Sequence, residues 1–171
     1  MSKIQTFTVA PDRSALLVET RSNVGPIVFG SLSVEGEAEL SVASSAIDSA
    51  VVLSAVIRVP VGSLESGNSL YDSELRNRLD QRRFPAITVA LTQARSLGDG
   101  RFDAEGDLTI HGTTQRLTGS LAVTMPDEKT VIAEGRHVVD IRDFAISLPT
   151  MLMLKIYPDV SVQFRITAVR A

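Results

Sequence analysis

From Val28 to Val42 the even positions read Val28, Gly30, Leu32, Val34, Gly36, Ala38, Leu40 and Val42. Between them stand Ser31, Ser33, Glu35, Glu37, Glu39 and Ser41. Successive side chains of a strand point to opposite faces, so this sustained period of two means strand with one face buried and one wet. The phase places Val28, Leu32 and Val34 on the same inner face as Leu40. Gly30 and Gly36 fall on that face too, where a missing side chain lets a strand bend around a barrel. The outer Glu35, Glu37 and Glu39 read as a solvated strand face.

The pattern recurs downstream. Ile87, Val89 and Leu91 alternate with Thr88, Ala90 and Thr92, and Phe102, Ala104, Gly106, Leu108 and Ile110 alternate with Asp103, Glu105, Asp107 and Thr109. Leu117, Gly119, Leu121, Val123 and Met125 form another series, and Val160, Val162, Phe164 and Ile166 another. Less regular strands are expected at 14–21, 48–60 and 130–142. Val, Ile and Thr make up 43 of the 171 residues, a composition suited to a pleated surface. Gly98-Asp99-Gly100, His111-Gly112-Thr113 and Pro126-Asp127 read as turns. One segment departs from the period: Tyr71, Leu75 and Leu79 recur every four residues between Ser69 and Asp80. A short amphipathic helix is expected there, capped by Ser69 with Asp72 in a capping-box role, and stopped by Phe84-Pro85.

About eight turn-linked strands make an antiparallel sheet, whose inner face is buried either by stacking or by closure. The inner glycines favour a closed barrel. No repeat, charge block or low-complexity tract divides the chain, so a single domain over residues 1–171 is expected.

Chemistry-bearing residues are sparse. With no cysteine there is no disulfide, thiolate nucleophile or Cys-based metal site. Seventeen Lys plus Arg against twenty Asp plus Glu give a net charge of −3, without the basic excess of a nucleic-acid binder. Metal-ligand spacing around His111 and His137, a nucleophile elbow and a phosphate loop are all missing, so neither metal nor cofactor is implied. His111 falls on the outer register beside a turn and reads as solvated. His137 shares the inner register of Val131, Ala133, Gly135 and Val139. It reads as a core histidine, a polar anchor for a ligand head group, or a general base with Asp140 or Asp143 nearby. Arg82-Arg83 reads as a solvated end or a contact for an anionic head group. The stretch from Ile146 to Leu154 is apolar and contains Pro149, as a loop or irregular strand would. Its methionines suit either core packing or an adaptable cavity wall.

No apolar run approaches the ~18 residues of a membrane span, and the N-terminal residues lack a secretory h-region. If Met1 is the natural start, a cytoplasmic protein is expected.

Several stretches, in order, resemble the YceI-like family of bacterial lipid- or polyisoprenoid-binding proteins. They are Gly25-Pro26-Ile27-Val28-Phe29-Gly30 with Val34-Glu35-Gly36; Val59-Pro60-Val61-Gly62 with Asp72-Ser73-Glu74-Leu75 and Phe84-Pro85-Ala86-Ile87; Gly106-Asp107-Leu108-Thr109-Ile110-His111-Gly112-Thr113-Thr114; and Ile141-Arg142-Asp143-Phe144. The resemblance spans roughly residues 10–168. It implies a lipocalin-like, extended eight-stranded antiparallel barrel with one short helix on its side, enclosing an apolar channel. It also implies binding rather than catalysis, and many such proteins are periplasmic or secreted. The lining residues expected from the alternation are Leu32, Val34, Leu53, Ile57, Ile87, Val89, Leu91, Leu108, Ile110, Leu121, Val123 and Phe164, with His137 as polar anchor. Leu75, Leu79 and Leu152 would close one end. The expected partner is a polyisoprenoid or other apolar lipid, and a homodimer through the helix or a barrel edge is conceivable. An enzyme using His137 inside the barrel, and a filled barrel acting as a partner-binding, stress-related module, are the competing readings.

Overall fold

A computed structural model describes residues 3–43, 46–47, 54–147, 150–151 and 154–171. The strands are β1 (Lys3–Val9), β2 (Ala15–Ser22), β3 (Gly25–Ser31), β4 (Glu35–Ala43), β5 (Ala46–Ile47), β6 (Ser54–Pro60), β7 (Ala86–Gly98), β8 (Arg101–Ile110), β9 (Thr113–Asp127), β10 (Thr130–Asp140), β11 (Thr150–Met151) and β12 (Leu154–Val169). Helix α1 spans Ser69–Arg78. All strand pairs are antiparallel, and the sheet runs β1-β4-β6-β7-β8-β9-β10-β12 before β12 returns to β1. The result is a closed eight-stranded barrel. Closure pairs both sides of these eight strands and leaves β3, beyond β2, as an edge strand.

The β2–β3 hairpin extends this wall: β12 pairs with β1 at Val169 and Ala168, then with β2 from Arg165 onward. The break between β1 and β2 is a 3-10 turn at Pro11–Arg13. Buried Ser14 ties it down, its Oγ donating to the Ala10 carbonyl at 2.8 Å and accepting the Thr167 N–H at 3.0 Å. Strand β1 has no counterpart among the sequence expectations. Its apolar pattern is disguised, with Ile4 turned out and Phe7 and Val9 turned in.

The long alternation from Val28 to Val42 is two strands whose pleats are out of phase. In β3 the odd residues Ile27, Phe29 and Ser31 are buried and Val28 faces out, whereas in β4 the inner residues are Gly36, Ala38 and Leu40. The bend at 32–34, where the Ser33 N–H donates to Ser31 Oγ at 3.1 Å, absorbs the one-residue shift. A shift of one residue moves every side chain to the other face. Leu32 is therefore 75% exposed, and its expected place inside the barrel is corrected. The outer acidic stripe is solvated as expected, and two of its members pair across to β6, Arg58 reaching Glu37 at 3.1 Å and Glu35 at 3.8 Å.

Helix α1 begins one residue earlier than expected. Asn68, not Ser69, is the cap, and its Oδ1 accepts the Leu70 and Tyr71 N–H groups at 3.0 and 3.2 Å. Asp72 reaches past the cap to Ser66, accepting its N–H at 2.8 Å and its hydroxyl at 2.6 Å. That carboxylate is buried and docks the helix onto its approach loop. Replacing Asp72 with Ala removes the acceptor of both the half-buried Ser66 N–H and the Ser66 hydroxyl, a loss of about 2 kcal/mol. Faster amide exchange across 66–79 and a lowered denaturation midpoint are expected, and unchanged exchange would contradict this docking role.

The turn at His111–Gly112 has φ of +54° and +71°, the pair of positive values that a two-residue hairpin needs. A Cβ on Gly112 would lie 2.6 Å from Phe84 Cε1, and the His111 ring meets Phe84 edge-on at 5.3 Å. His111 is thus packed rather than solvated, with a buried Nδ1 that has no hydrogen-bond partner among the described residues. Arg83 lies over the other ring partner, 5.1 Å from the Phe84 centroid. The Phe84-Pro85 element and the His-Gly turn, distant in sequence, are one contact.

Candidate functional site

Two apolar clusters form the core inside the barrel. Phe7, Val9, Phe29, Leu40, Phe102, Val123, Val131 and Ala168 belong to one, and Val61, Leu79, Leu108, Ile110, Val139, Phe144, Ile146 and Val160 to the other. Beside them lies a cavity of about 420 Å³ whose wall is almost wholly apolar. Members of both clusters line it, from Val9 and Ala168 to Val139 and Ile146. Its size falls within the range of small-molecule sites. Strand residues such as Ile87, Val89 and Leu91 face inward yet are only half-buried, because empty space rather than a packed neighbour lies opposite them.

Of the residues expected to line the interior, Ile57, Ile87, Val89, Leu91, Leu108, Ile110, Leu121, Val123 and Phe164 stand on the cavity wall. Leu75 lines it from α1, and Leu79 from the residue that caps the end of the helix. Val34 is fully buried but packs into the first cluster without lining the cavity, so its expected role as a wall residue is corrected. Leu32 is on the outside for the reason given above. Leu53 and Leu152 lie outside the described residues.

His137 lines the cavity, as its register demands. Gly119 on the neighbouring strand makes room for the ring, since a Cβ there would sit 3.2 Å from His137 Nδ1. Among the described residues no hydrogen bond engages the imidazole. Asp140 is committed elsewhere: its carboxylate accepts from Arg142 Nη2 at 2.7 Å and from the Arg142 backbone N–H at 2.9 Å. The guanidinium first, and then that N–H, hold it below the usual carboxylate range. Asp143 contributes its backbone carbonyl, which accepts from Gln115 Nε2 at 2.8 Å. Neither carboxylate forms the orienting partner that a histidine base requires.

Further wall residues were not singled out from sequence. Leu16, Val18 and Thr20 on β2, and Val160, Val162 and Ile166 on β12, follow from the same alternation. Tyr71, Glu74 and Arg78 follow from helical spacing, because they share the face of Leu75 and Leu79. Among the described residues no group of three or more metal-ligating side chains is gathered, and no helix is long and apolar enough to cross a membrane.

A model of the YceI-like domain family matches residues 7–168. A UPF0312 protein of Vibrio vulnificus is 36% identical over 62 residues, 35% of this chain and 33% of that protein. A UPF0312 protein of Vibrio cholerae is 30% identical over 66 residues, 37% of this chain and 35% of that one. These matches therefore span about a third of the curated relatives' length. Among solved structures, Burkholderia cenocepacia BcnA superposes with a TM-score of 0.80 at 17% identity, covering 94% of this chain and 99% of that one. A polyisoprenoid binding domain from Saccharophagus degradans, implicated in plant cell wall breakdown, gives 0.74 at 13% identity, covering 96% and 98%. At such identities the likeness is one of fold.

Proposed function

The chain belongs to the YceI-like family, and on that premise we propose that it binds a long apolar ligand, of the polyisoprenoid or fatty-acyl class, inside its barrel for transport or storage. The observation that carries this reading is the apolar cavity bordered by both core clusters. A filled barrel would pack those inner side chains against one another, as protein interiors normally are. Here they face a void, and a chain threaded into it gains roughly 25 cal/mol for each Å² of apolar surface removed from water. The low aromatic content, 5%, fits this arrangement, because aliphatic walls leave space that rings would occupy. The likeness in fold to a polyisoprenoid binding domain supports the same ligand class.

Binding is favoured over turnover by the surroundings of His137. A catalytic imidazole is oriented by a partner and meets its substrate beside charge-stabilising donors. The wall around His137 is apolar, and Asp140 is held by Arg142. His137 instead serves as a polar anchor for an oxygen of the ligand.

Native mass spectrometry, paired with lipid extraction, on protein purified gently from its own host tests the proposal. A bound polyprenyl or acyl species is expected. Protein that is repeatedly empty and takes up no apolar probe would overturn it.

A further inference from the structure

We propose that Glu74 and Arg78 form a charge filter on the α1 side of the cavity, admitting chains that end in an uncharged polar group and discriminating against phosphorylated chains of equal length. The inference rests on the reading of the barrel as an apolar-chain site.

Glu74 is the only carboxylate and Arg78 the only guanidinium on the described wall of the cavity. They lie one turn apart on the helix face that also carries Tyr71, Leu75 and Leu79 into the lining. Arg78 Nε donates to Glu74 Oε1 at 2.6 Å, and Arg78 Nη1 donates to Ser147 Oγ at 2.9 Å. Their side chains retain 22% and 33% of their exposure, Glu74 being the deeper. A pair that both lines the void and reaches solvent marks a boundary between them. The end of a bound chain that leaves the apolar interior on this side meets that boundary.

The pair decides what that end can be. A lone arginine would capture a phosphate, because guanidinium and phosphate match in charge and geometry. Here the guanidinium is already neutralised by Glu74 and directed to Ser147, so an incoming phosphate meets a fixed carboxylate before it meets an uncompensated cation. Like charges brought together in a partly desolvated place are strongly disfavoured, which is how interfaces reject wrong partners. A hydroxyl or carbonyl carries no such penalty. A hydroxyl can donate to the carboxylate, and either group can accept from the guanidinium, while the pair stays intact. The Arg78–Ser147 contact staples α1 to the segment after Phe144, so the filter belongs to the seated helix.

Titration of the wild-type protein with a polyprenol, and with the polyprenyl monophosphate of the same length, tests this directly. The alcohol is expected to bind about tenfold more tightly or better. In Glu74→Gln the guanidinium loses its counter-charge, and the ratio should collapse or reverse toward the phosphate. In Glu74→Gln/Arg78→Gln both charges are gone, and the alcohol and phosphate should differ less than in wild type without a turn toward phosphate. Equal binding of both ligands to wild type, or a ratio unmoved by Glu74→Gln, overturns the filter while leaving the apolar-chain reading intact. If neither ligand binds, the apolar-chain reading falls and the filter falls with it.

Discussion

Leu91→Trp is expected to abolish uptake of apolar chains while leaving the barrel folded. Leu91 lies on β7 opposite Ala55 of β6 and Gly106 of β8. Paired residues of neighbouring strands share a face, so the side chains flanking Leu91 are a methyl group and a hydrogen. A larger side chain therefore meets little lateral resistance and extends into the cavity of about 420 Å³. Enlarging a residue in a packed core forces strain of about 1–3 kcal/mol, but a residue that faces a void escapes much of it. The affinity for a fluorescent fatty acid or polyprenyl probe should fall about a hundredfold, equivalent to roughly 2.8 kcal/mol. A melting temperature near that of wild type separates occlusion from unfolding. Undiminished uptake would remove Leu91 from the lumen.

Gly36→Ala should do the reverse, damaging the fold itself. Gly36 sits in β4 with φ of +151°, and a Cβ built there lies 2.1 Å from the Val56 carbonyl oxygen and 3.0 Å from Ile57 Cα. The obstacle is backbone of β6, and that strand is held on both sides by pairing with β4 and β7. It cannot yield as a flexible side chain would. Strained backbone and overpacking each cost a few kcal/mol, so a loss of about 4 kcal/mol is expected in urea denaturation. That is a large part of the stability of an ordinary domain. A loss below about 1 kcal/mol would show that β6 moves aside, and that the close approach of β4 and β6 is not rigid.

These two substitutions mark the difference between what was legible and what was not. The inner placement of Leu91 follows from counting Ile87, Val89 and Leu91 along the chain. The same holds for Leu108, Ile110, Leu121 and Val123, which lie in strands long enough for one pleat to persist from end to end. Leu32 is the counterexample. It carries the same letter in the same apparent series, yet it stands 75% exposed because the chain bends after Ser31 and resumes its pleat one residue out of phase. No residue between 31 and 35 announces the shift, since Ser33 supports a bend and a strand equally well. Strand β1 is illegible in the sequence for a related reason: Ile4 faces solvent, and only the partners of Phe7 reveal which face is inner.

Residue chemistry was equally divided. That His137 would point inward was readable from its register, but its lack of an acidic partner was not. Asp140 stands three residues on and looks available until Arg142 is seen to occupy it. Tyr71, Leu75 and Leu79 declared a helix by spacing, and that spacing puts Glu74 and Arg78 on the same helix face without saying what the face meets. Their place on the cavity wall depends on how α1 lies across the barrel, which Asn68, Asp72 and Ser66 set through contacts outside the apolar pattern.

The sequence by itself determined an antiparallel barrel of β-branched strands with one helix, free of cysteine and of any metal or phosphate motif. It could do so because the alternation of side chains is a local property of an extended chain, written residue by residue. Only the tertiary structure decided that the barrel is hollow, that β3 and β4 are out of phase, and that a neutral ion pair stands on the cavity wall. A void is the remainder left when all inner side chains and the curvature of the closed sheet are summed, and no stretch of sequence carries that sum.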